Sequence, residues 1–127
     1  MNVIEVIIRY YQLANAGDWK NWCDLFCEDV VMDEQLAGHI EGQATLRSMM
    51  AGFPDMYASF QNVPRHFVVN GSEAATVSHI TATTPEGKQI EADVMNYFRL
   101  AGDRISYMAN FHDTMPFRVL SQASSQG

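Results

Sequence analysis

The hydrophobic period changes partway along the chain, and that change restricts the fold more than any other feature. Up to about residue 53 apolar side chains recur at helical spacing, and beyond residue 60 they alternate. Asn2 is placed to cap a first helix in which Val3, Ile4, Ile7, Ile8, Tyr11 and Ala14 share a face, and Gly17 ends it. Asp18 caps a second, short helix with Trp19, Trp22, Cys23 and Phe26 on its buried side. Residues 30–32 predict a short apolar strand, followed by a polar, acidic turn. Gly42 precedes a third helix with Leu46, Met49, Met50 and Phe53 inward, and Pro54 stops it. Strands are then expected over 60–69, 74–84, 89–100 and 104–113, with turns at Asn70-Gly71, Glu86-Gly87 and 101–103. Helices followed by an antiparallel meander define an α+β domain: three N-terminal helices packed on a curved, mainly antiparallel sheet.

Register decides which side chains meet. A two-residue turn at Glu86-Gly87 sets His79 opposite Val94 and Thr81 opposite Ala92. A three-residue turn at 101–103 sets Asn96 opposite Met108 and Val94 opposite Asn110. One face then holds His79, Thr81, Ala92, Val94, Asn96, Phe98, Met108, Asn110 and His112. The other carries Asp93, Met95, Tyr97, Tyr107 and Phe111, an apolar surface suited to a homodimer contact. A one-residue slip in the second of these turns would send Tyr107 and Phe111 to the first face instead.

With 127 residues the chain fits one domain, expected over 1–120, and the small polar run 121–127 reads as a disordered tail. A net charge of −7 without any basic cluster argues against nucleic acid or an anionic membrane as partner. The start lacks the basic segment of a signal peptide, and no apolar run reaches spanning length, so a cytoplasmic location is expected. Cys23 and Cys27, four apart, are read as two reduced, buried thiols on one helix face.

Four groups of residues carry a resemblance. They are 9–18 (RYYQLANAGD), 26–34 (FCEDVVMDE), 39–42 (HIEG) and the pair of strands from Asn96-Tyr97-Phe98-Arg99-Leu100 to Phe111-His112-Asp113. In that order the chain resembles, over about residues 3–117, the NTF2-like superfamily, and within it ketosteroid isomerase and the SnoaL-like polyketide cyclases. The resemblance implies a cone of helices around a bent sheet, a deep small-molecule pocket, no cofactor or metal, and commonly a homodimer. It implies Tyr10 as an oxyanion-hole donor and Glu34, or the adjacent Asp33, as the base. The acid of the isomerase oxyanion hole falls on Asn96, whose amide can donate but carries no acidic proton. Two supporting tyrosines of that family fall on Phe26 and Met50, and pocket walls fall on His79 and His112.

Each candidate has a structural alternative. Tyr10 is either a pocket hydroxyl or a core aromatic, and Glu34 either a buried base or part of a solvated turn. His79 and His112, with Asn96 and Asn110 on one expected face, form either a polar pocket or a set of mutually satisfied core groups. A metal held by His79, His112 and Glu34 has no ligand-spacing signature. Asp113 is either an acid/base group or a strand-end carboxylate. The expected pocket is completed by Asp33, Phe26, Met50, Thr81, Val94, Phe98, Met108 and Asn110. The function that follows is acid/base chemistry next to a carbonyl, as in isomerisation, cyclisation or dehydration, with a non-catalytic ligand-binding or dimerising domain as the alternative.

Overall fold

The computed structural model describes residues 2–120; the expected tail at 121–127 lies outside the described residues. Helix α1, Val3–Ala16, starts where Asn2 Oδ1 accepts the Glu5 N–H at 2.9 Å. It ends in a Schellman arrangement: Gly17 takes φ 71°, its N–H donates to Ala14 O, and Asp18 N–H donates to Leu13 O. Helix α2, Trp19–Cys23, is capped by Asp18. Strand β1, Phe26–Glu34, and strand β2, Gly38–Glu41, form a hairpin. Helices α3, Gln43–Ala51, and α4, Phe53–Met56, follow. The meander consists of β3, Ser59–Asn70, β4, Glu73–Thr83, β5, Gln89–Ala101, and β6, Arg104–Phe111. A 3-10 turn at Met115–Phe117 follows β6.

The six strands form one open sheet in the order β2-β1-β6-β5-β4-β3, antiparallel throughout except for the parallel β1–β6 pair. The helices lie on its inner face. Val6, Ile7, Tyr10, Leu13, Phe26, Phe98 and Ile105 are among the buried residues between the two layers. Asn15 ties the end of α1 to β3 as a strand would, its side chain donating to Asn62 O at 2.9 Å and accepting from Asn62 N at 2.6 Å. This is the expected α+β architecture of helices on a curved sheet.

Several local expectations are corrected. Phe26 opens β1 instead of riding on α2, and Cys27 is likewise in β1, so the two free thiols do not share a helix face. The acidic pair Asp33-Glu34 is strand, not turn, because it pairs with Gly38–His39 of β2 around a three-residue loop. Pro54 stops α3 but stands in the first turn of α4, where a missing N–H is harmless.

The register of β4 is shifted by one residue. His79 faces Asp93 and Thr81 faces Glu91, while Ser78 faces Val94. A two-residue turn at Glu86-Gly87 would need the Pro85 N–H in the ladder, and proline has none. The chain instead uses a five-residue connection, 84–88, closed by Thr84 N–H to Lys88 O at 2.8 Å and Lys88 N–H to Thr84 Oγ1 at 3.0 Å. With a side-chain period of two, that single step sends His79 and Thr81 to the outer face and brings Thr76, Ser78 and Ile80 inward. The β5–β6 turn has two residues, Gly102-Asp103, not the expected three, and a bulge next to Arg99 adds a second step, so together they shift the pairing by two: Asn96 faces Asn110 and Phe98 faces Met108. A shift of two preserves faces, and the inward set of β5 and β6 stands.

Candidate active site

A cavity of about 340 Å³ lies between the inner sheet face and α1 to α4. Most of its wall is apolar and aromatic. Trp19, Phe53, Tyr57 and Phe60 form a chain of edge and tilted ring contacts with centroids 4.7 to 6.1 Å apart. Met49 and Leu36, both partly exposed, also border the cavity.

The polar part comes from the sheet. The pairing of Asp33 with Ala109 carries the next β1 residue, Glu34, beside Asn110, and Asn110 faces Asn96 across the β5–β6 ladder. His112 lies two residues beyond Asn110, and all four residues line the cavity. The Glu34 carboxylate is oriented by the hairpin it terminates: Oε2 accepts from the backbone N–H groups of Leu36, at 2.8 Å, and Ala37. Its Oε1 lies 4.0 Å from His112 Nε2. The His112 side chain is only 2% exposed. Its Nδ1–H donates to Asp113 O at 2.8 Å, and its ring packs against Phe117 at 4.9 Å. With Nδ1 committed as donor, Nε2 is the ring nitrogen left facing Glu34.

Two phenols border the same space. Tyr10 is buried, and desolvation, with the neighbouring Tyr11 phenol and the Glu34 carboxylate adding to it, holds its hydroxyl well above the usual tyrosine range. Tyr57 is pushed up to about 12 by burial, with the Glu34 charge adding to the effect. Both therefore remain protonated donors near neutral pH. No protein group hydrogen-bonds the Tyr10 hydroxyl among the described residues, whereas the adjacent Tyr11 is paired with Thr76 at 2.6 Å. Two further wall residues hold buried polar atoms without a partner among the described residues, Trp22 Nε1 and Asn62 Oδ1.

The structure sorts the expected site residues. Tyr10, Glu34, Asn96, Asn110, His112, Met50, Val94 and Met108 line the cavity. Phe26 and Phe98 do not; they are fully buried in the core beneath it, each in ring contact with Tyr10. Asp33 points to the opposite face, accepting from Tyr107 Oη and from His39 Nδ1, both at 2.6 Å. Those hydrogen bonds, Tyr107 first, lower its pKa. His79 is outside the cavity, bonded to Asp93 at 2.8 Å and Glu91 at 3.3 Å on the outer face, and Thr81 is exposed there too. The trio His79, His112 and Glu34 is thus split across the sheet and cannot converge on one ion. Asn96 does not offer its amide N–H groups to the cavity, since Nδ2 donates to Tyr11 Oη at 3.1 Å and Ser78 Oγ at 3.0 Å. The Asp113 carboxylate accepts from Met115 N–H at 2.9 Å and so anchors the turn that carries Phe117.

Tyr57 and Asn62 are wall residues that sequence reasoning missed. Asn62 had a signal, since it alternates with Phe60 and Pro64 along β3. Tyr57 had none, because it sits between a four-residue helix and a strand, where no period operates.

A helical layer over a curved, open sheet, with a cavity closed between them, defines an NTF2-like fold. The sequence profile of the SnoaL-like domain matches residues 7–108, and the chain belongs to that family. Solved structures agree on the fold. TerC co-crystallised with polyporic acid superposes with a TM-score of 0.83 at 20% identity, covering 94% of this chain and 98% of that one. An NTF2-like protein of unknown function from Burkholderia pseudomallei gives 0.85 at 16%, covering 94% and 97%. IdmH, a proposed polyketide cyclase from Streptomyces antibioticus, gives 0.78 at 18%, covering 96% and 99%. No curated protein matches the sequence.

Proposed function

We propose that the protein is a cofactor-independent acid/base enzyme of isomerase, cyclase or dehydratase type, acting on a small carbonyl or polyketide-like molecule in the cavity. The observation that carries this reading is the approach of Glu34 Oε1 to His112 Nε2 at 4.0 Å inside a mostly apolar chamber. That separation is too long for a hydrogen bond and leaves room for one reacting atom in contact with both groups. Glu34 Oε1 takes a proton from carbon next to the substrate carbonyl, and the electron pair moves onto the carbonyl oxygen. The Tyr10 or Tyr57 hydroxyl donates to that oxygen as its charge develops. His112 Nε2 accepts and returns the proton at a second position, with Nδ1 held by Asp113 O. Glu34 keeps its geometry throughout because two backbone N–H groups hold its other oxygen.

The reading extends to assembly. The outer face exposes Met95 at 47% beside its cross-strand partner Phe111 at 58%, a surface suited to a second copy of the chain. The hydrogen bonds from Glu34 to its own hairpin favour a second reading, in which that carboxylate only shapes the loop and the cavity binds without catalysis.

Proton–deuterium exchange separates the two. Wild-type protein is expected to catalyse solvent deuterium incorporation next to the carbonyl of at least one member of a panel of cyclic and aryl ketones, followed by NMR. Glu34→Gln should abolish exchange while the same ketone still raises Tm. Retention of exchange in Glu34→Gln would remove Glu34 as the base, and ketone binding without any exchange in the wild type would leave the binding domain as the answer.

A further inference from the structure

Asn96 and Asn110 are direct cross-strand partners and both border the cavity, yet they present opposite ends of their amides to it. Asn110 Oδ1 accepts the Gln35 backbone N–H at 2.9 Å. A backbone N–H only donates, so this contact fixes the amide, and the NH₂ of Asn110 is the end left for the cavity. Asn96 is the reverse. It is 1% exposed, and its two N–H groups go to Tyr11 and Ser78, with Tyr11 in turn hydrogen-bonded to Thr76. The carbonyl oxygen of Asn96 is then the end to which no group among the described residues donates. Directly opposed side chains on one sheet face stand about 5 Å apart. Two like ends at that spacing would repel, and a donor beside an acceptor does not.

We propose that Asn110 and Asn96 form a donor–acceptor pair that selects a neutral ligand carrying a hydroxyl beside a carbonyl on one rigid ring system. The proposal rests on the cavity being a ligand site and adds which functional group it reads. The ligand carbonyl accepts from Asn110 Nδ2, and the ligand hydroxyl donates to Asn96 Oδ1. Glu34, on the other side of Asn110, then faces the carbon framework next to that carbonyl. A ligand that lacks the hydroxyl leaves the buried Asn96 oxygen unpaired, and an ionised ligand sets negative charge against it.

The test uses wild-type protein and 3-hydroxychromone, whose absorbance and fluorescence distinguish the neutral molecule from its anion, at a pH where the free probe is neutral. The controls are 3-methoxychromone, which keeps the carbonyl and loses the donor, and naphthalene, which has no polar group. Binding of 3-hydroxychromone in its neutral form, about tenfold tighter than the methoxy compound, supports the pair. In Asn110→Leu both chromones, which share the carbonyl, should bind more weakly while naphthalene, which has none, binds as before. Appearance of the bound anion means that both amides donate, and it overturns the proposal. Equal affinity for the hydroxy and methoxy compounds, with naphthalene also bound, overturns the proposal and leaves the cavity reading intact. If none of the three probes binds, the ligand-site reading fails and the pair fails with it.

Discussion

Tyr11→Phe is the sharpest test of how the inner face is wired, because the adjacent Tyr10 supplies a matched control. Both rings are buried on α1, and neither substitution changes ring volume. They differ in what the hydroxyl touches. Tyr11 Oη accepts from Asn96 Nδ2 at 3.1 Å and pairs with Thr76 at 2.6 Å, whereas Tyr10 Oη faces the cavity. Deleting Tyr11 Oη strands one Asn96 N–H, while the Thr76 hydroxyl can rotate to another acceptor. A buried unpaired donor costs about 1–3 kcal/mol, so Tyr11→Phe should lose about 2 kcal/mol. At this chain length that corresponds to roughly a 6–10 °C fall in Tm. Tyr10→Phe should change stability by no more than about 0.5 kcal/mol. Equilibrium urea unfolding with linear extrapolation measures both. A loss from Tyr10→Phe as large as that from Tyr11→Phe would refute the reasoning, and so would a negligible effect of Tyr11→Phe.

Two further outcomes follow from the packing and the outer face. Phe98, fully buried beneath Tyr10, should cost about 3–5 kcal/mol on truncation to Ala, read by the same unfolding curves; a loss below about 1 kcal/mol would contradict its place in the core. The His79 pKa is raised, first by its hydrogen bond to Asp93 and then by Glu91, and the Asp93 pKa is lowered, first by His79. The histidine contribution is therefore complete below its unfolded pKa and fades as pH rises through the raised folded value, while the aspartate contribution is present above its unfolded pKa and is lost as pH falls through the lowered one. Wild-type stability should decline relative to His79→Ala as pH climbs from about 6 to 8; parallel curves for the two proteins across that window would remove the pair from the account.

Much of the fold was legible because its determinants are local. Asn2 and Asp18 mark helix starts through side chains that reach only three residues ahead, and Gly17 marks an end because its own backbone adopts φ 71°. The change from helical to alternating period separates the two layers in the same local way. The β1–β2 hairpin was not legible, because Glu34 and Asp33 are polar, and the partner that makes them strand is itself only four residues long. Part of the cavity wall was nonetheless readable: Tyr10, Glu34, Asn96, Asn110 and His112 all line it.

The sequence by itself determined the first three helices, the four strands of the meander and their order, and the inward set of β5 and β6, since a shorter turn and a bulge that together shift register by two leave every side chain on its face. Tertiary structure alone decided the face of β4, where Pro85 forced a longer connection and one residue of slip carried His79 away from His112. It also decided which end of each asparagine meets the cavity, because an amide is turned by partners such as Tyr11 and Gln35 that lie 85 and 75 residues away in the chain. Side-chain alternation is a local property with a period of two, whereas register and amide orientation are set by contacts between segments that no short window contains.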